Sequence, residues 1–222
     1  MPRLPRIFGD GVHYHIILRC NNREHLLEEK EDFNRLLILL QEAREKFSFK
    51  LYNYEFLHSH IHLMLSTRGE HYTDKIMHEL CLKFAKDFNK RHQRVGHLWA
   101  HRYRCRVIKN EQQGLACLRY QNRNALSAGI VTKPEEWPWS GYHFYALGIP
   151  NILLEPHPSY LGLHEDEIGR RFAYKLLVNM PIPSDKIKNL LEKAGGKETR
   201  RFTAMVKQTE HLRSHRLPST RY

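Results

Sequence analysis

Cysteine is scarce in this sequence, and its four thiols are scattered along the chain. Cys20, Cys81, Cys105 and Cys117 form no Cys-x-x-Cys pair, so their spacing indicates neither a zinc ribbon nor a thioredoxin-like redox motif. We expect these cysteines to be reduced, as is usual in cytosolic proteins.

Long hydrophobic runs are also missing. No stretch of about 18 apolar residues occurs, so the sequence lacks the pattern of a transmembrane helix. Residues 1–11 contain no apolar core of the kind that a secretory signal peptide needs. Together these absences predict a cytoplasmic protein that has no membrane partner.

Acidic residues are in the minority. The 222 residues include 36 lysines and arginines but only 24 aspartates and glutamates, which gives a formal net charge of +12. So basic a chain favours a polyanionic partner, with nucleic acid as the leading candidate, although a merely soluble basic protein would show the same balance. A hydrophobic content of 41% is enough for one globular domain with a proper core.

The hydrophobic pattern predicts the element order β-α-β-β-α-β-α. Strands are predicted at residues 12–19, 49–57, 60–67 and 102–108, and amphipathic helices at 28–47, 73–92 and 111–129. This order indicates an α+β fold, a ferredoxin-like antiparallel sheet with helices packed on one face. Because the composition changes at about residue 150, we predict one domain at 1–150 and a basic C-terminal extension at 151–222.

One predicted strand carries an unusual amount of imidazole. In the stretch FLHSHIHLML, residues 56–65, His60 and His62 alternate with apolar residues and therefore point to the same face of the strand. Two imidazoles held rigidly on one face form half of a metal site, and burying them without partners would be costly. Hydrogen-bonded structural histidines are an equally reasonable interpretation of the same pattern.

The third predicted helix carries a second candidate pair. Tyr120 and Asn124 are four residues apart, so they share one face of a helix. Asn124 could offer an amide oxygen to Mn²⁺ or Mg²⁺, and Tyr120 could attack a phosphodiester that this ion polarises. On spacing alone, a packing tyrosine and a capping asparagine are the more common outcome.

Five segments follow one another along the chain: GVHYHIILRCNNR, the HIH at residues 60–62, FNKRHQRVGHLWAHRYR, LRYQNRNALSAGIV and EEWPWSGYHFY. In this order they resemble the motifs of the HUH-type single-tyrosine transposases, specifically the REP-associated tyrosine transposases and their insertion-sequence relatives. The resemblance covers roughly residues 5–145. Two departures concern DNA preference and helix-end geometry more than chemistry. Residues 57–59 replace the family's Met-Pro-Asn, and residues 124–128 lack the proline and arginine of its Asn-Pro-Val-Arg-Ala.

The resemblance implies a metal-dependent transposase that nicks and rejoins single-stranded DNA near hairpins or repetitive palindromic elements. His60, His62 and Asn124 would hold a divalent ion, Mg²⁺ or Mn²⁺. Tyr120 would cut the DNA, stay attached to the 5′ phosphate and leave a free 3′ hydroxyl. Attack by another 3′ hydroxyl would rejoin strands without ATP, and the active unit would be a monomer or a homodimer.

The predicted DNA contacts combine cations with aromatic side chains on which bases can stack. They are Arg19, Arg23, Lys90, Arg91, Arg94, Trp99, Arg102, Tyr103 and Arg104. A solvated cationic face above core aromatics is the alternative. The extension could bind a hairpin stem through its backbone or lie across the active site, and its candidate residues are Arg200, Arg201, Arg213 and Arg216.

Two other functions compete with this interpretation. A catalytically inactive nucleic-acid-binding protein of the same fold would be expected to have lost one of the residues that the resemblance makes functional. None is missing from the set His60, His62, Tyr120 and Asn124. A structural zinc protein is disfavoured because no cysteine pair accompanies the histidines.

Overall fold

The structure, a computed structural model, describes residues 11–68 and 73–180. The strands in these residues are β1 (His13–Arg19), β2 (Lys50–Leu57), β3 (His60–Ser66) and β4 (Arg104–Ile108). The α-helices are α1 (Lys30–Phe47), α2 (Thr73–Arg91), α3 (Glu111–Asn122), α4 (Asn124–Ser127), α5 (Pro158–Leu161) and α6 (Glu167–Asn179). From β1 to α3 the elements follow the predicted order.

The strands form one antiparallel sheet in the order β2-β3-β1-β4. A tight turn at His58 and Ser59 joins β2 to β3. The histidine-bearing strand β3 pairs with β2 on one side and with β1 on the other, so it lies inside the sheet. The predicted α+β fold built on an antiparallel sheet is confirmed.

Helices α1 and α2 form the predicted helical layer on one face of the sheet. Alternate strand residues such as Ile16, Phe56 and Leu63 share a buried cluster with Leu36 of α1 and Phe84 of α2. Both helices repeat apolar residues at three- and four-residue spacing, so each buries one stripe of its surface against the strands. Since strand side chains alternate, His60 and His62 point to the opposite face.

A second helical layer covers that opposite face. Met64 of β3 and Tyr52 of β2 share a buried cluster with Leu118 of α3, Tyr160 of α5 and Tyr174 of α6. The helices predicted on one face are present as α1 and α2, and this second layer adds to them. It places α3, which carries Tyr120, directly over the histidine-bearing face of the sheet.

The predicted helix at residues 111–129 is interrupted near its end. Asn110 caps α3 by accepting a hydrogen bond from the backbone of Gln113 at 2.9 Å, and α3 ends at Asn122. Arg123 (φ −104°, ψ −4°) separates α3 from the single turn of α4. Gly129 follows with φ 71°, the left-handed conformation that favours glycine after a helix, as predicted.

The division near residue 150 stays a prediction. On the described part of its C-terminal side, α6 is tied to α3, because the guanidinium of Arg119 donates to the backbone carbonyl of Leu177 at 2.6 Å. Among the described residues, no helix is long and apolar enough to cross a membrane. The candidate arginines of the extension, Arg200, Arg201, Arg213 and Arg216, lie outside the described residues.

Candidate active site

His60 and His62 lie side by side on β3, with ring centroids 4.9 Å apart. Across the strand pair, His60 is opposite Arg19 and His62 is opposite Ile17 of β1. His62 is completely buried, whereas His60 is partly exposed. The strand therefore presents two adjacent imidazoles, of which one lies in the interior and one at the edge of the site.

Both ring nitrogens of His62 have a polar neighbour. Nδ1 lies 2.9 Å from Nε2 of His15 on β1, and Nε2 lies 2.9 Å from the side-chain amide of Asn124. A rotation of that amide by 180° exchanges its nitrogen and oxygen, so Asn124 can aim either group at the histidine pair. His15 is buried as well and is absent from the predicted site.

Burial keeps these histidines neutral. Burial, followed by the nearby charge of Arg19, lowers the pKa of His60 to about 4. Burial, followed by the charge of Arg106, likewise lowers the pKa of His15 to about 4. The pKa of His62 lies well below its usual range, chiefly because the ring is fully buried. Neutral imidazoles keep a lone pair, which is the form that binds metals.

Tyr120 and Asn124 reach the histidines together despite the break in the helix. The Tyr120 ring centroid is 5.6 Å from that of His62 and 6.1 Å from that of His15, and the side chain is half-buried. Asn124 contacts the far nitrogen of His62 from the start of α4. The structure thus brings together the four residues predicted for catalysis and metal binding.

Buried polar groups on β2 hold the helix break above the histidines. The amide nitrogen of Asn53 donates to side-chain oxygens of Gln121 at 2.6 Å and Asn122 at 2.9 Å. The carboxylate of Glu55 accepts a long hydrogen bond from the backbone of Ala125 at 3.4 Å. These residues were not predicted. Their only signal is that polar side chains interrupt the apolar strand LYNYEFL.

The donor set fits a divalent ion. Among the described residues no cluster of three or more His, Cys, Asp or Glu side chains is arranged for a metal, so a third ligand beside His60 and His62 has to come from a different chemical group. The amide oxygen of Asn124 is such a group. Two neutral imidazoles and one amide oxygen suit Mn²⁺ better than Mg²⁺, which prefers oxygen ligands throughout.

Four of the predicted DNA contacts converge beside the histidines. Arg19, Arg23, Arg102 and Arg104 line one cavity of about 490 Å³. Its wall includes the short 3₁₀ turn Asn21–Arg23, in which Asn22 (φ 49°) and Arg23 (φ 59°) both adopt the left-handed backbone conformation. Non-glycine residues rarely adopt it, so the surrounding structure has to enforce this turn.

The other predicted DNA contacts lie around the end of α2 and the loop that follows it. Lys90 is exposed, and the guanidinium of Arg94 stacks 5.9 Å from the centre of the Phe88 ring. Trp99 is partly buried and donates from Nε1 to the backbone carbonyl of Cys81 at 3.2 Å. DNA contact by these three residues stays a prediction.

Two of the residues predicted to contact DNA have partners inside the fold. Arg91 forms an ion pair at 2.9 Å with Asp32, whose side chain is completely buried, so its charge is used inside the fold. Tyr103 is buried and donates from its hydroxyl to Thr73 at 3.2 Å, which leaves little ring surface for a base. DNA contact by these two residues stays a prediction, and composition alone does not reveal their partners inside the fold.

A solved structure of a known protein shares this fold. It is a REP-associated tyrosine transposase bound to a REP hairpin. It is 19% identical over 71% of this chain and 93% of that one, with a TM-score of 0.57. A weaker similarity is to a protein from Deinococcus radiodurans R1 described as a transposase. It is 18% identical over 51% of this chain and 91% of that one, with a TM-score of 0.40. No curated protein matches the chain.

A family-level match covers the strands and helices that build the site. Residues 10–121 of the 222 match the family described as "Transposase IS200 like", a span that runs from before β1 through Tyr120. The span includes both histidines of β3 and ends just before the helix break. The chain therefore belongs to the IS200-like transposase family, whose members are DNA-cleaving and strand-transferring enzymes.

Proposed function

We propose that the protein is a metal-dependent transposase that nicks and rejoins single-stranded DNA beside hairpins through a 5′-phosphotyrosine intermediate. The observation that supports this best is the meeting of Tyr120 and Asn124 with His62. Hairpin DNA is proposed because the REP-associated transposase with the same fold was solved with a REP hairpin. The +12 net charge agrees with a polyanionic substrate.

The proposed chemistry is an exchange of phosphate esters. The phenol oxygen of Tyr120 forms a bond to phosphorus, the bond from phosphorus to the 3′ oxygen breaks, the phenol proton leaves, and the released 3′ oxygen takes up a proton. Attack by a second 3′ hydroxyl reverses these steps and joins two strands. One phosphate ester is made for each one broken, so no ATP is required.

The metal is assigned to His60, His62 and Asn124. A divalent ion bound there supplies positive charge to a non-bridging phosphate oxygen and stabilises the charge that develops during attack. The protein contributes the positions: β3 fixes both imidazoles, and Asn53 and Glu55 hold the chain segment that carries Tyr120 and Asn124. Mn²⁺ is the first candidate, with Mg²⁺ as the alternative.

A catalytically inactive DNA-binding protein of the same fold is the competing proposal. The convergence of the four side chains favours the enzyme, because a binding protein has no need of a tyrosine beside a neutral histidine pair.

The nuclease is proposed to occupy residues 1–150, with 151–222 as a basic extension. We further propose that the protein is cytoplasmic and that it acts as a monomer or a homodimer.

The test is the formation of a covalent protein–DNA adduct. Wild-type protein is incubated with single-stranded hairpin oligonucleotides and Mn²⁺ or Mg²⁺, then separated on a denaturing gel. Tyr120→Phe should abolish the adduct and keep DNA binding. Tyr54→Phe is the matched control, because that buried hydroxyl bonds to Asn151 on the other side of the sheet. An undiminished adduct in Tyr120→Phe would refute the assignment.

A further inference from the structure

The cavity of about 490 Å³ beside the histidines is lined by four arginines, and we call it the cationic cavity. Arg19 contributes from β1, Arg23 from the 3₁₀ turn, Arg102 from the loop before β4, and Arg104 from β4. The floor includes Ile17. The walls thus come from two separate chain segments, residues 17–23 and 100–104, which together present guanidinium groups to one space.

The cationic cavity adjoins the histidine pair through the sheet register. Ile17 is opposite His62 on one side and opposite Arg104 on the other, and Arg19 is opposite His60. Directly paired residues of neighbouring strands point to the same face. The cavity therefore opens on the histidine-bearing face, next to the partly exposed His60.

The cavity arginines have no carboxylate partner among the described residues, although the guanidinium of Arg102 lies 6.0 Å from the centre of the Tyr103 ring. Arg23, Arg102 and Arg104 are exposed, and within residues 11–68 and 73–180 none of the four forms a salt bridge with a carboxylate. Arg91 differs, since it is paired with buried Asp32. Guanidinium groups that have no carboxylate partner and share one cavity repel one another. Phosphate, which they bind in bidentate fashion, relieves this repulsion.

The position of Tyr120 decides which part of the DNA the cavity receives. In phosphoryl transfer the attacking and leaving oxygens lie roughly in line, on opposite sides of phosphorus. Tyr120 contacts the rings of His15 and His62, whereas the cavity lies towards Arg19 and His60. A phosphate held at the histidine pair and attacked from Tyr120 has its leaving 3′ oxygen directed towards the cavity.

We infer that the cationic cavity binds the DNA segment on the 5′ side of the cut, the strand that ends in the released 3′ hydroxyl. This inference rests on the proposed function. The cavity would then do more than attract phosphate, because it would hold one particular product of the cut. The covalent bond to Tyr120 retains one product, and the arginines retain the other, so the 3′ hydroxyl stays beside the phosphotyrosine for rejoining.

The experiment uses the two halves of a cleaved hairpin oligonucleotide. The cut is first mapped from the adduct reaction, and each half is then made synthetically with a fluorescent label. Binding of each half is measured by anisotropy for wild type and for the double variant Arg23→Ala/Arg104→Ala. The control, Lys30→Ala/Lys86→Ala, removes the same charge from exposed positions on α1 and α2, on the other side of the sheet.

The double arginine variant should bind the upstream half, which ends in the 3′ hydroxyl, at least about tenfold more weakly and leave the downstream half unchanged. The slope of log K against log salt for the upstream half should fall by about 1.4, since each phosphate contact on a single strand contributes about 0.7. The lysine control should bind both halves as wild type does.

Three outcomes would overturn the inference. A loss confined to the downstream half would reverse the assigned polarity. An equal loss of affinity for both halves, with the same loss in the lysine control, would show that the variants act only through the net charge of the protein. If wild type forms no adduct with any hairpin, the proposed function fails and the inference fails with it. An adduct accompanied by the wrong binding pattern defeats the inference alone.

Discussion

The Nδ1 atom of His62 lies 2.9 Å from Nε2 of His15, and this contact determines which nitrogen of His62 faces the proposed metal. Both rings are buried with lowered pKa values, so both are neutral. If His62 offers Nε2 to a metal, its Nδ1 carries the proton and donates to His15. His15 then orients a ligand without touching the ion, as hydrogen-bond partners of metal-binding histidines commonly do.

Replacing His15 should therefore weaken metal binding. We expect His15→Ala to reduce the Mn²⁺ affinity of the DNA-free protein about 10- to 100-fold, because His62 loses its acceptor and its fixed orientation. His15→Gln keeps an acceptor oxygen and should lie closer to wild type. Isothermal titration calorimetry measures both, and wild-type affinity in His15→Ala would show that the contact has no role in orienting His62.

Asn124 is expected to be a ligand in its own right. Asn124→Ala should reduce Mn²⁺ affinity by at least about tenfold, since losing a ligand costs no less than losing its support. Mn²⁺ electron paramagnetic resonance should still report nitrogen from His60 and His62. Asn179→Ala, at an exposed position on α6, is the control and should bind as wild type. Equal affinities in the two variants would remove Asn124 from the site.

Local patterns in the sequence were enough to predict which residues of the site lie close together, whereas their proposed roles came from the family resemblance. Strand periodicity places His60 and His62 on one face, and helical spacing places Tyr120 near Asn124 even though Arg123 interrupts the helix. Both depend on neighbours within a few residues along the chain, which is where periodicity is informative. The element order was predictable for the same reason.

Features that depend on pairing between distant segments were not predictable. His15 becomes a partner of His62 only through the register of β1 against β3. Asn53 and Glu55 support the helix break only because α3 crosses β2. Arg91 resembled a DNA-binding cation in sequence, and only the fold reveals its buried partner Asp32. Such contacts follow from tertiary packing and leave no periodic signal.

A second pair of histidines, in which His157 is buried and His13 is partly buried, makes the stability depend on pH. His13 Nδ1 lies 2.8 Å from His157 Nε2, and burial, followed by the charge of His13, lowers the pKa of His157 from 6.5 to about 3. Below pH 6.5 His157 becomes protonated in the unfolded chain but stays neutral in the folded protein. Stability should then fall by about 1.4 kcal/mol per pH unit for this group until about pH 3.

His157→Gln should reduce the slope of stability against pH by the contribution of one histidine, because the unfolded chain loses that titrating group. Urea unfolding across the acidic range measures the slope of stability against pH. His97→Gln, which changes an exposed histidine, is the control and should keep the wild-type slope. A slope in His157→Gln equal to that of the control would contradict the buried neutral state of His157.

The packing of α5 against the tyrosine helix can be tested at a glycine. A Cβ atom added to Gly114 of α3 would lie 2.3 Å from Oγ of Ser159 and 2.5 Å from Cε1 of His157. Gly114→Ala should destabilise the protein by about 1–3 kcal/mol, as overpacking usually does. Gly162→Ala meets nothing closer than 3.8 Å and should change stability by less than about 0.5 kcal/mol.

Chemical denaturation of the two glycine variants gives the comparison directly. Equal stabilities would mean that α5 does not press against α3 in solution. In that case α5 would contribute nothing to the support of Tyr120, and its place in the second helical layer would have to be reconsidered. A selective loss in Gly114→Ala supports the contact.

The most direct measurement of the central claim is the identity of the residue that becomes attached to DNA. The adduct formed with a hairpin oligonucleotide and Mn²⁺ is digested with protease and nuclease, and the modified peptide is sequenced by mass spectrometry. We predict a nucleotide attached through its 5′ phosphate to Tyr120. Attachment to any other residue, or a 3′ phosphate in the linkage, would contradict the account.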